Sequence, residues 1–292
     1  MDINYSASII IPAYNEQETI EECLSNIIEE SKKFYSEIIV VDDNSSDQTI
    51  EIVEKFKTIK LVKLDSNKGV GNARNVGAKI AKHEILCFID ADVIITSNSI
   101  INLIKKLNQS SNIGSVSAIQ EMVNLNTKDW SSNFVCLKSC YGFENVEKET
   151  EFSLCTAEFS VVSKETLNQV GGWKPLRNAG GEEFYLGYKI NQLNKKNYKI
   201  INASYKTSYV NLYTRFKRII DRTEKYIHIF LKKKKFDTEG SFATFNQFLS
   251  SLLTLIIIVL ILFSSILDKS LLIAGILASS ISQMVVEFNF LI

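Results

Sequence analysis

Ser8-Ile-Ile-Ile-Pro-Ala-Tyr-Asn-Glu16 and Ile39-Val-Val-Asp-Asp-Asn-Ser-Ser-Asp47 follow one plan: a short β-rich run that stops in a cluster of polar residues. Working outward from these two stretches, Ala7 to Ile11, Glu37 to Val41, Lys60 to Leu64 and Ile85 to Ile89 read as strands. Ile20, Cys23, Leu24, Ile27 and Ile28 recur at helical spacing between the first two. The alternation is βαβαβ. It predicts an α/β fold with a mostly parallel sheet and flanking helices, in which ligands bind beyond the carboxyl ends of the strands. The polar clusters lie at those ends.

The chain has 292 residues, 46% apolar and 23% charged, enough for a sizeable core. Its 33 Lys and Arg balance 33 Asp and Glu, which argues against a nucleic-acid partner. Five cysteines, at 23, 87, 136, 140 and 155, form no CxxC pair and are expected to be reduced and buried. The first residues lack a basic flank followed by a long apolar region, so the N-terminal part is expected in the cytosol. Only two prolines occur, and no repeat or linker divides residues 1–210.

The fourth strand ends in Asp90-Ala91-Asp92, whose carboxylates are two residues apart in extended chain and can project from one side. Such a pair suits a hard divalent cation, Mg²⁺ or Mn²⁺, although a lone Asp-x-Asp is more often a turn or a cap. Asn67 to Gly77 is a glycine-rich entry to a helix carrying Val76, Ile80 and Ala81. Its glycines let backbone approach a ligand, and Lys68 and Arg74 at the helix N-terminus favour an anion. It has neither Walker nor dinucleotide spacing.

Taken in order, Ser8 to Glu16, Ile39 to Asp47, Asn67 to Gly77 and Phe88 to Asp92 resemble the inverting glycosyltransferases of family 2, which have the glycosyltransferase A fold. The resemblance continues through Val170-Gly171-Gly172-Trp173 and Gly181-Glu182-Glu183, over residues 6 to 200. It implies a nucleotide-diphosphate-sugar donor of the UDP or GDP type. Pro12, Tyr14 and Glu16 would lie beside the nucleoside, Asp43 on the base, Arg74 near the donor, and Asp90 and Asp92 on the ribose and the diphosphate-bound metal. It also implies a base within Glu182-Glu183, at the position matching Glu183, where the family usually has Asp; Glu158 is the next candidate. As helix-starting acids the two glutamates equally suit a helix dipole. The Gln-x-x-Arg-Trp element of processive synthases is absent, since neither Trp130 nor Trp173 follows Arg, which favours transfer of a single sugar. Core or turn packing is the commoner role for both tryptophans. His83, on the helix before the fourth strand, and His228 are expected to be structural.

Leu212, Phe216, Ile219, Ile220, Ile227 and Phe230 recur at helical spacing opposite Arg215, Lys217, Arg218, Arg222 and Lys225, a basic amphipathic pattern across the interfacial segment 211–246. In the membrane region 247–292, Phe248 to Leu267 contains only Ile, Leu, Val, Phe, Ser and Thr over twenty residues, long enough to span a bilayer core. Its apolar residues favour insertion by roughly 5 to 9 kcal/mol before the hydroxyls count against it. Ser270 to Val286 is a weaker second run. Lys232 to Lys235 place the catalytic domain on the cytoplasmic side of the cell membrane. The expected partners are therefore a nucleotide sugar, a lipid-linked or glycan acceptor and the membrane. Two other readings fit less of the sequence. A silent sugar-nucleotide-binding membrane protein leaves the acids at 43, 90, 92 and 183 without a task, and a sugar-phosphate nucleotidyltransferase would carry its glycine-rich entry at the first strand.

Overall fold

The computed structural model describes residues 5–125, 129–140, 149–152, 154–175, 181–211 and 213–214, with the side chains of 138–140 excepted. The chain separates into two compact units, Met1–Ile227 and His228–Ile292. All the described residues belong to the first. The expected amphipathic segment beyond residue 214 and both apolar runs lie outside them. Among the described residues no helix is long and apolar enough to cross a membrane.

In chain order the elements are β1 (Ser6–Ala13), α1 (Ile20–Ser31), β2 (Tyr35–Asp42), α2 (Thr49–Val53), β3 (Ile59–Lys63), α3 (Val70–Ile80), β4 (Ile85–Ile89), β5 (Val93–Ile95), α4 (Ser99–Leu107), β6 (Ile113–Asn124), α5 (Trp130–Cys140), β7 (Glu149–Phe152), β8 (Phe159–Ser163), α6 (Lys164–Gln169), α7 (Glu182–Gln192) and β9 (Lys196–Thr207). They form one sheet in the order β3-β2-β1-β4-β8-β6-β9-β5, with β7 beside β9. The four expected strands are β1 to β4, within a residue at each shared end except where β1 and β2 extend further.

The expectation of a mostly parallel sheet holds for β3, β2, β1 and β4, and needs correction beyond them. β8 runs antiparallel to β4 and β6, β5 and β7 run antiparallel to β9, and only β6 and β9 are parallel in that half. The reason is local. Asp90, just past β4, donates its N–H to the carbonyl of Glu158 (3.0 Å), so the chain enters β8 at the end where β4 leaves and must run back along it.

The β1 run is continuously apolar because both faces are covered. Ile9 and Ile11 pack with Cys23, Leu24 and Ile27 of α1 and with α4 residues on one side. Ile10 packs with Ala73 and Ala78 of α3, and in the same layer lie Trp173 and the α7 residues Leu186 and Ile190. β1 sits between β2 and β4, reached by connections that run in opposite directions, and such a reversal opens a crevice at the strand ends. α3 stops at Ile80, before His83, which is therefore not helical as expected. Ala81 turns extended, and the His83 N–H is taken by the Ser8 hydroxyl (3.1 Å), so the chain leaves the helix to join β4.

α3 lies close to the sheet because Gly77 has no side chain. A Cβ there would stand 2.4 Å from Cγ2 of Ile10 and 3.3 Å from Cγ2 of Val41. Alanine favours helix by about 1 kcal/mol over glycine, but overpacking a core costs roughly 1–3 kcal/mol. Gly77→Ala is thus expected to lower the thermal midpoint of the purified chain; a raised midpoint would show that α3 can lift from the sheet without loss.

Candidate active site

The turn after β1 and the turn after β2 are tied together before either can meet a ligand. The Asn15 N–H reaches the Ser45 hydroxyl (2.9 Å), and the Asn15 amide oxygen accepts from the Ser46 N–H (2.8 Å). The Glu16 N–H donates to the Thr49 hydroxyl (2.8 Å), and the Gln17 N–H to Asp47 (3.1 Å). Asn15 and Asn44 take left-handed conformations, which asparagine tolerates better than most residues. Pro12 is buried at the end of β1, while Tyr14 is 46% exposed on the turn.

Asp43 is buried, and its two oxygens accept the N–H groups of Lys68 (2.9 Å) and Gly69 (2.7 Å). It therefore shapes the entry to α3, with the Lys68 side chain exposed above it. The glycines of that entry serve the protein itself. A Cβ on Gly71 would meet the backbone oxygen of Lys174 at 2.5 Å, so the close approach that glycine permits is taken by the segment after Trp173.

Arg74, expected near the donor, lies within the protein, with its side chain 1% exposed. Its Nη2 is 2.6 Å from Oδ1 of Asp90, its Nη1 is 3.6 Å from Oε1 of Glu182, and its guanidinium lies 4.8 Å from the centre of the Trp173 ring. Burial opposes this charge, but Asp90 and Glu182 outweigh burial and hold the guanidinium more firmly protonated than usual. Asn75 clamps Trp173 at both ends of one residue, accepting from its N–H and donating to its carbonyl, each at 2.8 Å. Gly171 and Gly172 precede it at φ of 83° and 79°, a left-handed pair that makes the turn. Trp173 is buried, as expected. Trp130 is not: it is 76% exposed on α5.

Asp90 and Asp92 share the acidic end of β4 with Glu16 and Glu158. Burial pushes Asp90 up to about 7, helped by Asp92 and Glu158 and opposed by Arg74. Burial also pushes Asp92 up to about 6, with Glu16 adding to it, while the Thr207 hydroxyl (3.1 Å) acts the other way. Arg74 answers one oxygen of Asp90 but not the surplus negative charge, so a divalent cation fits the chemistry here. Among the described residues no three His, Cys, Asp or Glu side chains converge as a cage. Asp90 and Asp92 alone would hold a cation whose other ligands are phosphate oxygens and water, as Mg²⁺ commonly binds.

Glu182 and Glu183 open α7. Glu182 is buried against Arg74. Glu183 is half-buried, and its Oε2 accepts the Gly181 N–H (3.1 Å). The carbonyl of Glu183 takes the Cys155 N–H (3.4 Å), which joins α7 to the segment that also carries Glu158, exposed at the site's edge. The four described cysteine side chains, at 23, 87, 136 and 155, are free and buried. Reasoning from sequence missed Asn75 and Thr207. Asn75 lies inside the quoted glycine-rich stretch. Thr207 gives no signal, since only the pairing of β9 with β5 brings it to Asp92.

Residues 8–171, more than half of the chain, match the family model described as Glycosyl transferase family 2. The chain is 29% identical over 178 residues to poly-beta-1,6-N-acetyl-D-glucosamine synthase of Staphylococcus epidermidis and 28% over 176 residues to that of Staphylococcus aureus. Each match covers 57% of this chain, and the chain spans about two-fifths (41%) of the length of these curated relatives. Among solved structures it is similar to the mannosyltransferase PcManGT of Pyrobaculum calidifontis in complex with GDP-Man and Mn²⁺, at TM-score 0.55 and 22% identity over 71% of this chain and 59% of that one. It is also similar to residues 1–349 of TarS from S. aureus in complex with UDP, at TM-score 0.53 and 24% identity over 70% and 60%. At these identities the likeness to the structures is one of fold.

The raised carboxyls make stability depend on pH. Asp90 and Asp92 keep protons in the folded chain that the unfolded chain has released above about pH 4, so the folded state binds more protons up to about pH 7. Their contribution is full below about pH 4 and is lost as pH rises through about 6 to 7. In metal-free buffer the thermal midpoint should fall over that interval, and the rise in midpoint produced by Mn²⁺ should grow with pH across it. A Mn²⁺ effect of equal size at every pH would remove these carboxylates as ligands.

Proposed function

Because this chain belongs to glycosyl transferase family 2, we propose that it is an inverting, metal-dependent glycosyltransferase that moves one sugar from a nucleotide-diphosphate sugar to a lipid-linked acceptor at the cytoplasmic face of the cell membrane. The observation that carries the reading is the division of labour between Glu182 and Glu183 over the acidic end of β4. One carboxylate is spent inward on Arg74, and its neighbour stands half-buried at the start of the same helix.

The donor is bound beside the tied turns after β1 and β2, with Pro12, Tyr14 and Glu16 at the nucleoside and the Asp43-shaped loop and Lys68 next to it. Asp90 and Asp92 would hold a Mg²⁺ or Mn²⁺, which when bound would supply stabilisation of the negative charge on the departing diphosphate. Glu183 accepts the proton of the acceptor hydroxyl as that oxygen attacks the anomeric carbon from the face opposite the diphosphate, which inverts the configuration. Arg74 keeps Asp90 and Glu182 in register and so positions both halves of the site. GDP-Man and UDP in similar folds support a nucleotide donor of either type. The chain is similar to poly-beta-1,6-N-acetyl-D-glucosamine synthases, but Gln-x-x-Arg-Trp does not occur in it, which supports a single transfer. Membrane attachment rests on the composition of Phe248 to Leu267 and the lysines before it.

Labelled nucleotide sugars incubated with the full chain, Mn²⁺ and a membrane extract should give a labelled lipid product from one donor. No turnover of any donor would leave a binding protein instead. Glu183→Gln should bind donor normally and transfer about 10²- to 10⁴-fold more slowly, as expected on losing a general base. Glu182→Gln should spare more of the chemical step and instead lower the thermal midpoint, because Arg74 loses a buried partner. Two active variants would make the pair a helix start only. Asp92→Ala should abolish the dependence of donor binding on the cation, and full turnover by the wild type in excess chelator would overturn the metal assignment.

A further inference from the structure

The helix α5 is built inside out. Trp130, Phe134 and Leu137, spaced i, i+4 and i+7 along one face, are 76%, 51% and 52% exposed. The opposite face buries Ser131, Ser132, Val135 and Cys136. That buried polar edge is well held. Asp129 accepts the N–H and the hydroxyl of Ser131 (3.0 and 2.7 Å), and the Asn124 amide donates to Ser132 and Asn133 (2.8 and 2.9 Å). The helix cannot roll to hide its aromatics without breaking these bonds. Val123 and Leu125, where β6 runs out towards α5, are 44% and 38% exposed as well. A run of this size left in water marks a surface meant to be covered.

We propose that α5 lays Trp130, Phe134 and Leu137 into the interfacial layer of a lipid bilayer. The occupant follows from where the chain goes next. Tyr209 packs on Val135 and Cys136 beneath the stripe and donates its N–H to Asn124 (3.1 Å), and Tyr213, four residues on, is 68% exposed. From there the sequence passes through Arg215, Lys217, Arg218, Arg222 and Lys232 to Lys235 before the apolar run that starts at Phe248. The chain thus leaves the underside of α5 directly into a basic stretch suited to anionic headgroups and then into a span. Trp and Tyr favour the headgroup layer, where an apolar ring meets water at its edge. The choice of occupant rests on the reading of Phe248 to Leu267 as a span. The consequence for catalysis is an orientation: α5 follows β6 in the same domain as the acidic site, so seating it fixes how that site faces a lipid-linked acceptor.

The chain has two tryptophans, and Trp173 is buried. The full chain is reconstituted into vesicles of phosphatidylcholine and phosphatidylglycerol with brominated acyl chains, and the difference between wild type and Trp130→Phe isolates the emission of Trp130. That component should be quenched by bromine roughly twofold or more, shift to shorter wavelength and escape aqueous acrylamide. Phe134→Asp should weaken the bromine quenching while leaving hydrolysis of the donor unchanged. Trp130 emission open to acrylamide and insensitive to bromine would overturn the proposal, as would a blue shift that needs no lipid and grows with protein concentration, which would make a second copy the cover. Extraction with carbonate is measured on the same vesicles. A chain that resists carbonate with an unquenched Trp130 keeps its span and loses the stripe; one that is released but quenched loses the span and keeps the stripe; one that does not sediment with vesicles loses both.

Discussion

A guanidinium whose side chain is 1% exposed has to be neutralised where it lies, and Arg74 is neutralised from two directions, by Asp90 beyond β4 and by Glu182 at the start of α7. Three separate elements therefore meet at one charge. Taking a partner from a buried pair costs roughly 3–5 kcal/mol, a large part of the net stability of a domain. Trp173 closes the arrangement, with its ring beside the guanidinium and edge-to-face with Phe88 (5.2 Å), and Asn75, next to Arg74 on α3, holds the Trp173 backbone at both polar atoms. Gly71 lets the backbone at Lys174 approach α3, and Gly171 and Gly172, both in left-handed conformations, make the turn before Trp173.

This interaction divides the acids of the site into two kinds. Glu182 and one oxygen of Asp90 are committed to Arg74. Burial first, and then the neighbouring charges of Asp92 and Glu158 on Asp90 and of Glu16 and Glu158 on Asp92, keep Asp90 and Asp92 above the usual carboxylate range. The cation proposed for Asp90 and Asp92 would relieve that cost.

The parallel half of the sheet could be read from the sequence because each of its strands is a short apolar run that ends in polar residues. β5, β7 and β9 could not, since β5 has three residues and β7 is mostly exposed, so neither has a pattern of its own. The reversal into β8 was hidden for another reason: nothing in Phe159 to Ser163 says which neighbour it will have or which way it will run. In the site, aspartates and glutamates announced themselves by type and position. Arg74 reads from the sequence as a cation at a helix start that favours an anion; that Asp90 and Glu182, from distant segments, enclose it is visible only in the fold. Thr207 needed the β5 and β9 pairing, and Asn75 needed the Trp173 turn, both contacts across about a hundred residues.

Trp130 shows the same limit from the opposite side. Packing is the ordinary destiny of a lone tryptophan, yet here Ser131, Ser132, Val135 and Cys136 occupy the inner face of α5 and Trp130, Phe134 and Leu137 the outer. The inner face is polar because it must join the end of β6, where the Asn124 side chain needs partners for its amide, and Ser132 and Asn133 supply them. With those hydrogen bonds and the contact of Val135 and Cys136 with Tyr209 fixing the inner face, Trp130, Phe134 and Leu137 are left on the outside. Leaving three large apolar side chains half or more exposed gives up part of the about 1.5–3 kcal/mol that burying each would contribute. The lipid contact proposed for that surface would recover it, and the Tyr209 packing that roots α5 is also the point from which the sequence heads towards its most apolar stretch.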